Sequence, residues 1–215
     1  MEPTITFLST LGVTLSAAEQ QRLQQFVDVF TAYNAHTNLS AIRKEDAVWQ
    51  KHIGDSLAVL GFEQLSGKCL DIGTGGGLPG IPLAIMRPEI SMTLLDSVGK
   101  KITACQSFIT ALELKNTSAI LARAEQLAGE AKHRHAYNVV LSRATAYLPI
   151  LLAWAENMMS PNGRIILYKT PSDEERRDGA AVARELGLNL VREHSYEFEG
   201  QQRFIIVFEN SKKKG

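Results

Sequence analysis

The sequence has few cysteines and no excess of charge of either sign. Two cysteines occur in 215 residues, Cys69 and Cys105, and they form no C-x-x-C pair. A disulfide framework is therefore not indicated, and a reducing compartment is expected. Lysine plus arginine equals aspartate plus glutamate, at 23 each, so the formal net charge is zero. This balance argues against a general binder of polyanions, and any contact with nucleic acid must come from a local patch.

Long apolar runs are also missing. No stretch approaches the roughly 18 apolar residues that are needed to cross a bilayer. The N-terminal Met1-Glu2-Pro3-Thr4 lacks the basic region of a secretory signal. The hydrophobic content of 45% is ordinary for a globular protein, and 215 residues suit one α/β domain with a small extension. We expect a cytoplasmic monomer with neither a membrane nor a metal as a partner.

Glycine, by contrast, is concentrated in one place. Residues 68–80 read Lys-Cys-Leu-Asp-Ile-Gly-Thr-Gly-Gly-Gly-Leu-Pro-Gly, an apolar run followed by five glycines within eight positions. The order is typical of a strand, a tight turn and a helix start, because glycine accepts positive φ and lets a ligand approach the backbone. The free N–H groups of a helix N-terminus favour a nucleotide-like ligand there. A carboxylate at Asp71, beside the turn, would repel pyrophosphate and favour a ligand that carries positive charge.

The N-terminal third of the chain reads as helical, over residues 4–63. Ser16 and Glu19 form a predicted capping box at the start of one helix. A second predicted helix runs from about Lys44 to Leu60 and places His52 and Asp55 on one face. We expect a helical extension over residues 1–66, packed on an α/β domain over 67–210, with a basic tail over 211–215.

From Lys68 onward, predicted strands alternate with predicted helices, which is typical of βαβ units and a mainly parallel sheet. A short turn containing Gly200 separates the last two strands, so they should form an antiparallel hairpin. The seven predicted strands are 68–72, 92–95, 118–121, 137–142, 164–169, 189–197 and 202–209. The predicted helices between them are 81–86, 100–112, 124–131, 148–159 and 174–186.

Two ligand classes share this layout. Gly75 to Gly80 fits G-x-G-x-x-G, the pattern of a nicotinamide-dependent oxidoreductase, but the fit is weak in a run with so many glycines. Asp96 ends the second predicted strand 21 positions after Gly75, where an acidic residue accepts hydrogen bonds from ribose hydroxyls. Glu125 follows the third strand, where it either suits the helix dipole or lies beside an adenine.

Cations, rather than a general base or a nucleophile, follow the fourth and fifth strands. Arg143 and Lys169 lie at the predicted carboxyl ends of these strands, which line the ligand crevice of an open α/β sheet. The alternative is that they are surface salt-bridge partners. Neither cysteine follows the fourth strand, although the sequence alone does not exclude Cys105 as a nucleophile.

The glycine-rich stretch resembles motif I of the class I methyltransferases, which bind S-adenosylmethionine and have a Rossmann-like fold. The chain as a whole is similar to the RsmG (GidB) family, bacterial methyltransferases that modify guanine N7 in 16S ribosomal RNA of the small subunit. The resemblance extends from about Phe26 to Lys169. Its motifs are Tyr33-Asn34 with Asn38-Leu39-Ser40, His52 to Leu57, Asp71 to Pro82, Leu95 to Ser97 with Lys100-Lys101, Leu112 to Asn116, Arg123 to Glu125, and Ser142-Arg143-Ala144.

The resemblance implies a set of cofactor contacts: Gly73, Leu78, Asp96, Ala124, Glu125 and Arg143, supported by Asp71 and Gly75. The chain departs from the family pattern at three places: Tyr33 replaces a tryptophan, Thr170 replaces the glycine after Lys169, and Ala104-Cys105 replaces a Phe-Leu pair.

The implied activity agrees with the missing base. Guanine N7 has an exposed lone pair, so its methylation requires positioning rather than proton removal. His52, Asp55 and Lys169 are candidates for the RNA-facing wall, while a hydrogen bond between His52 and Asp55 that fixes their helix to the domain is the alternative. Three other functions remain open: methylation of another RNA or a small molecule, nicotinamide-dependent oxidoreduction, and a non-catalytic RNA-associated module that binds S-adenosylmethionine.

Overall fold

A computed structural model of the protein describes residues 1–143 and 146–211. The described residues form one seven-stranded sheet in the order β3-β2-β1-β4-β5-β7-β6. The strands are β1 (Lys68–Ile72), β2 (Ser91–Asp96), β3 (Thr117–Leu121), β4 (Tyr137–Arg143), β5 (Met159–Lys169), β6 (Leu188–Phe198) and β7 (Gln201–Asn210). The pairs among β1 to β5 are parallel, whereas β7 pairs antiparallel with both β5 and β6. The predicted fold with its terminal hairpin is confirmed.

Helices cover both faces of this sheet. In chain order they are α1 (Glu2–Thr10), α2 (Ala17–Thr37), α3 (Glu45–Val48), α4 (Asp55–Leu57), α5 (Gly80–Met86), α6 (Gly99–Ala111), α7 (Ala124–Leu127), α8 (Leu148–Met158) and α9 (Asp173–Glu185). The predicted capping box is present, since Ser16 and Glu19 satisfy each other's backbone N–H groups. None of the helices in the described ranges is long and apolar enough to cross a membrane.

Successive residues of a strand point to opposite faces of the sheet, so their side chains pack in two different cores. Ile165 and Leu167 pack in a core with α7, α8 and α9. Ile166 and Tyr168 pack in a second core with α5, α6 and the N-terminal helices. Phe26 of α2 lies in this second core, which thus joins the helical extension to the sheet.

Three predicted elements differ in extent from those observed. The helix predicted over 124–131 ends at Leu127, shortly before Gly129, a poor helix former. Strand β5 begins at Met159 and not at Arg164. The sequence did not indicate its first half, because Pro161 and Gly163 are turn-prone. The predicted tail residues 212–215 and Ala144 of the Ser-Arg-Ala motif lie outside the described residues.

The predicted continuous helix from Lys44 to Leu60 was wrong in its middle. A π-helical segment, Trp49–Gly54, separates α3 from α4, and a 3₁₀-helix follows over Ala58–Gly61. The i→i+5 bonds of a π-helix accommodate an extra residue, which shifts the register of every side chain that follows. Apolar periodicity alone predicts the average helix and not this local change.

Candidate active site

The glycine-rich turn follows β1 and lies at the point where the strand order reverses, since β1 has β2 on one side and β4 on the other. The carboxyl ends of the strands form a ligand crevice at such a point. The Gly73 and Thr74 N–H groups both donate to the Leu95 carbonyl, which anchors the turn to β2. Gly75 has φ +57° and faces open space, so a ligand can approach its backbone closely.

Asp71 lies beneath this turn and is fully buried. Its Oδ2 accepts hydrogen bonds from the Thr74 hydroxyl at 2.6 Å and the Gly80 N–H at 3.0 Å, which joins both ends of the turn. Its Oδ1 is buried without a hydrogen-bond donor among the described residues. Burial raises the pKa of this carboxyl to about 6. The uncompensated negative oxygen fits a ligand that brings positive charge to the turn.

Asp96 links the turn to the end of β2. Its Oδ2 accepts a hydrogen bond from the Gly75 N–H at 3.0 Å, and its Oδ1 accepts one from the Val98 N–H at 2.9 Å. The Lys101 ammonium lies 3.5 Å from the same carboxylate. Asp96 therefore fixes the shape of the turn, and Oδ1, which accepts one hydrogen bond, retains a lone pair for a further donor.

Two cavities adjoin the turn. The first has a volume of about 680 Å³ and the second about 350 Å³, both within the ~300–1,000 Å³ range of ligand sites. Gly73 and Lys101 line both cavities, so the cavities meet there. The first is also lined by Gly75, Leu78, Arg143, His52 and Asp55, and the second by Asp96, Ala124 and Glu125. The structure thus brings the predicted cofactor residues together, apart from the supporting Asp71, which lies beneath.

Arg143 reaches from the end of β4 to the helical extension. Its guanidinium donates to Asp55 Oδ2 at 3.0 Å, and the Tyr196 hydroxyl donates to Asp55 Oδ1 at 2.8 Å. Only 12% of the Arg143 side chain and 5% of the Asp55 side chain are exposed. Arg143 is therefore part of a nearly buried ion pair, and not of a surface salt bridge.

His52 and Asp55 do not form the hydrogen bond that the sequence offered as an alternative. His52 Nε2 lies 2.9 Å from the Ser40 hydroxyl, whereas Asp55 bonds to Arg143 and Tyr196. Burial, together with the charge of Arg143, lowers the pKa of His52 to about 4, so its ring is neutral at physiological pH. Both side chains line the first cavity while they hold the extension in place.

Lys169 does not join the other predicted residues. Its ammonium contacts the Glu175 carboxylate and donates to the Ala146 carbonyl at 2.9 Å. It lines neither of the two cavities at the turn. The structure therefore argues against the predicted substrate contact, because the charge is neutralised by α9.

The structure also adds residues that the sequence did not indicate. Trp154 of α8 is half-buried and lines the second cavity with Glu125. Phe198 and Arg203, from the two strands of the hairpin, line the first cavity. Arg203 could have been found from the predicted topology. An antiparallel β7 begins at the edge of the sheet where β5 ends, which is the edge of the ligand crevice. Among residues 1–143 and 146–211, no group of three or more His, Cys, Asp or Glu could hold a metal ion.

Comparison with solved structures identifies the class of this fold. The structure of M. jannaschii TYW2 in complex with AdoMet matches with a TM-score of 0.60 and 14% identity, over 75% of this chain and 77% of that chain. Precorrin-6y C5,15-methyltransferase from Geobacter metallireducens matches with a TM-score of 0.53 and 15% identity, over 80% and 91%. The fold is that of the class I S-adenosylmethionine-dependent methyltransferases.

Sequence comparison identifies the family. Residues 19–203 match the GidB family, described as rRNA small subunit methyltransferase G, and the chain belongs to this family. A Chlorobium phaeobacteroides protein named Ribosomal RNA small subunit methyltransferase G is 40% identical over 82% of this chain and 78% of its own length. The Carboxydothermus hydrogenoformans protein of the same name is 34% identical over 94% and 88%. The chain is thus an S-adenosylmethionine-dependent methyltransferase, and the nicotinamide alternative is set aside.

Proposed function

We propose that the protein transfers a methyl group from S-adenosylmethionine to N7 of a guanine in 16S ribosomal RNA of the small subunit. One observation supports this above the others: two cavities meet at the glycine turn, and the described residues that line them include no activated base or nucleophile. Burial raises the pKa of Cys105 to about 12 and leaves His52 neutral. A thiolate attack on a pyrimidine ring therefore has no support, whereas guanine N7 offers a lone pair without losing a proton.

The second cavity suits the adenosine part of the cofactor. Asp96 would accept hydrogen bonds from the ribose hydroxyls, and Ala124 and Glu125 would lie beside the adenine, with Trp154 as a further apolar wall. Gly73, Gly75, Leu78 and Arg143 would border the methionine part in the first cavity. Oδ1 of Asp71, which has no hydrogen-bond donor among residues 1–143 and 146–211, fits the positive charge of this ligand.

Bound S-adenosylmethionine supplies an electrophilic methyl group on a positively charged sulfur. The task of the protein is then to hold N7 in line with that methyl group, and orientation alone can contribute about 7–11 kcal/mol. The guanine gains positive charge in the reaction, and Asp55, which lines the first cavity, neutralises the Arg143 guanidinium that would otherwise disfavour that charge. His52 lines the same wall as a neutral group.

Methylation of purified subunits tests the proposal. Small subunits from a strain that lacks the protein should take up one labelled methyl group per particle, recovered as 7-methylguanosine after digestion. Subunits that already carry the methyl group are the control and should take up none. Turnover on free nucleosides without incorporation into subunits would favour a small-molecule methyltransferase, and cofactor binding without any turnover would favour a non-catalytic module.

Tryptophan fluorescence tests the cofactor site separately. The chain has two tryptophans, and Trp49 is fully buried with its N–H bonded to Gln24, away from both cavities. S-Adenosylhomocysteine should change the emission of the wild-type protein and of Trp49→Phe, but not that of Trp154→Phe. An unchanged signal in all three proteins would contradict the assignment of the second cavity to adenosine.

We also propose that the protein acts as a monomer in the cytoplasm, where its ribosomal substrate is assembled, and that it needs neither a metal nor a membrane. The lone pair of N7 needs no Lewis acid to become a nucleophile, which supports metal independence. Light scattering should give the monomer mass of 23.7 kDa, and a chelator should leave methylation unchanged. A dimer mass, or activity that is lost with chelator and restored by a metal, would contradict these two points.

A further inference from the structure

Arg203 differs from the other cations that line the first cavity. Each of the other three approaches a carboxylate: Lys51 with Glu199, Lys101 with Asp96, and Arg143 with Asp55. Arg203 makes no salt bridge to any residue within 1–143 and 146–211. Its guanidinium lies 5.8 Å from the centre of the Phe198 ring, an arrangement that orients the group without neutralising it.

The Arg203 side chain also has an unsatisfied hydrogen-bond donor. Its Nε is buried, and no acceptor bonds to it in the described part of the chain. A buried donor without an acceptor destabilises the folded state, and a shift of the side chain that brings this N–H to an acceptor would remove that cost. Asp55 and Glu199, which line the same cavity, do not fill this role, because they pair with Arg143 and Lys51.

The topology places Arg203 at the ligand edge of the sheet but away from the glycine turn. Lys169, the last residue of β5, pairs with Phe204 of β7, so Arg203 lies at the edge where the parallel strands end. Strand β7 is three positions from β1 in the sheet, or roughly 14 Å at the usual strand spacing. A cofactor that spans both cavities at Gly73 leaves this part of the first cavity for the second substrate.

The charge of the first cavity favours an anion. Four cationic side chains line it, and three of them pair with the carboxylates of Asp55, Asp96 and Glu199, which leaves the charge of Arg203 in excess. The planar guanidinium of arginine matches a phosphate group and can form two parallel hydrogen bonds to it. Backbone phosphates flank every nucleotide of an RNA substrate, and contacts to them fix its position.

We propose that Arg203 binds a backbone phosphate next to the target guanine and thereby positions the RNA for methylation. The contact rests on the proposed function, since it assumes an RNA substrate. It assigns the hairpin of β6 and β7 to the RNA side of the site, and the second cavity with the glycine turn to the cofactor side.

Direct binding of purified small subunits, measured together with methylation, tests this contact. Arg203→Ala should weaken subunit binding about 10- to 100-fold, the range for a hydrogen bond to a charged group. The dependence of log affinity on log salt should become less steep by about one. Affinity for S-adenosylhomocysteine should be unchanged. Arg203→Lys keeps the charge but not the planar guanidinium. Its affinity for subunits should lie between those of the wild type and Arg203→Ala.

Arg134→Ala is the matched control, since it removes the same charge from an exposed residue just before β4, at the opposite edge of the sheet. It should bind subunits like the wild type. Wild-type subunit binding by a folded Arg203→Ala would overturn the proposal. Loss of S-adenosylhomocysteine affinity with unchanged subunit binding would also overturn it, because Arg203 would then hold the cofactor. Subunit binding is measured directly, so the contact is tested even if the wild-type protein transfers no methyl group.

Discussion

At the scale of the residue, Asp71 connects the shape of the glycine turn to the charge of its ligand. The carboxylate bonds to the turn at Thr74 and Gly80 and keeps one oxygen without a donor among the described residues. Because burial raises its pKa to about 6, the charge that attracts a cationic ligand is lost under mildly acidic conditions.

We therefore expect the affinity for S-adenosylmethionine to fall as the pH decreases through about 6. The ligand's own amino group titrates near pH ~8 and its carboxyl group near ~3.5, so neither interferes in this range. Asp71→Asn should bind the cofactor about 1–3 kcal/mol more weakly at neutral pH. Calorimetry from pH 5 to pH 7 should show that the affinity of this variant does not change near pH 6.

The unliganded protein supplies the control. A rise in pH through about 6 should lower its stability, whereas the same rise should increase its affinity for the cofactor. With a folded pKa raised to about 6 and an unfolded pKa of about 3.9, Asp71 makes its full contribution to the free energy of unfolding below the unfolded value. This contribution is lost as the pH rises through the folded value. The free energy of unfolding of Asp71→Asn should not decrease in this way as the pH rises. A wild-type cofactor affinity that is constant from pH 5 to pH 7 would refute the assignment.

The ion pair of Arg143 and Asp55 supports a second prediction. Arg143→Ala leaves a carboxylate that is 5% exposed without its cation, which should cost about 3–5 kcal/mol of unfolding free energy. The double variant Arg143→Ala/Asp55→Asn should recover most of that stability, yet remain without methylation. Urea unfolding and the subunit assay measure the two effects. A double variant that methylates normally would show that Arg143 has only a structural role.

The sequence predicted the positions of these residues at the ends of the strands better than it predicted their partners. Asp71, Asp96 and Arg143 follow from motif spacing, because that spacing determines where the strands end. The pairing of Arg143 with Asp55 does not follow, because the two residues are 88 positions apart and meet only when the extension packs on the sheet. Trp154 gave no signal of its own, since an apolar residue in a helix resembles any other core residue.

At the scale of the element, the π-helical segment Trp49–Gly54 allows two side chains to be buried at once. At its start, Trp49 is fully buried with its N–H bonded to Gln24. After it, Asp55 reaches Arg143 and Tyr196. One extra residue between these two anchors allows both to point inward.

Deleting Gln50 should therefore convert the segment into a regular helix and force one anchor out of place. Loss of the Asp55 ion pair or of the buried Trp49 side chain would each cost about 3–5 kcal/mol. We expect a lower thermal midpoint and loss of methylation. Gln50→Ala, which keeps the register, is the control and should behave like the wild type. A deletion variant with wild-type stability would show that the register is not constrained.

Most other elements could be predicted from the sequence to within one or two residues. Strands such as β1 and helices such as α9 have clear periods and clear ends, and the capping box at Ser16 marks the start of α2. The π-segment could not be predicted, because its apolar residues also fit a regular helix. The first half of β5 was hidden by Pro161 and Gly163, which usually mark turns.

At the scale of the whole molecule, the helical extension and the sheet share one core. Phe30 of α2 contacts Phe108 of α6, with ring centres 6.1 Å apart, and it also packs against Gly76 of the glycine turn. Phe7 of α1 lies 4.9 Å from the Phe198 ring of the hairpin. We propose that residues 1–66 are an extension that folds only with the domain of residues 67–210, and that 211–215 form a basic tail.

Buried charge supports the same conclusion. Glu63, which is 6% exposed, belongs to the extension and pairs with Arg164 of β5 and Arg192 of β6. Without the extension, both arginines would lose this carboxylate, and the face of α6 that carries Phe108 would be exposed to water. Exposure of a large apolar surface is unfavourable by about 25 cal/mol per Å², so the sheet should be unstable alone.

We therefore expect a fragment of residues 67–215 to lack a cooperative thermal transition and to bind no S-adenosylhomocysteine. In the full chain, Phe30→Ala should lower the free energy of unfolding by about 3–5 kcal/mol, because it removes a buried ring between the extension and the glycine turn. Leu190→Ala is the control, since Leu190 is 54% exposed on the edge strand β6, and it should change stability by less than about 0.5 kcal/mol. A fragment that unfolds cooperatively at the midpoint of the full chain would show that the extension is a separate unit, and the shared core would then contribute little to stability.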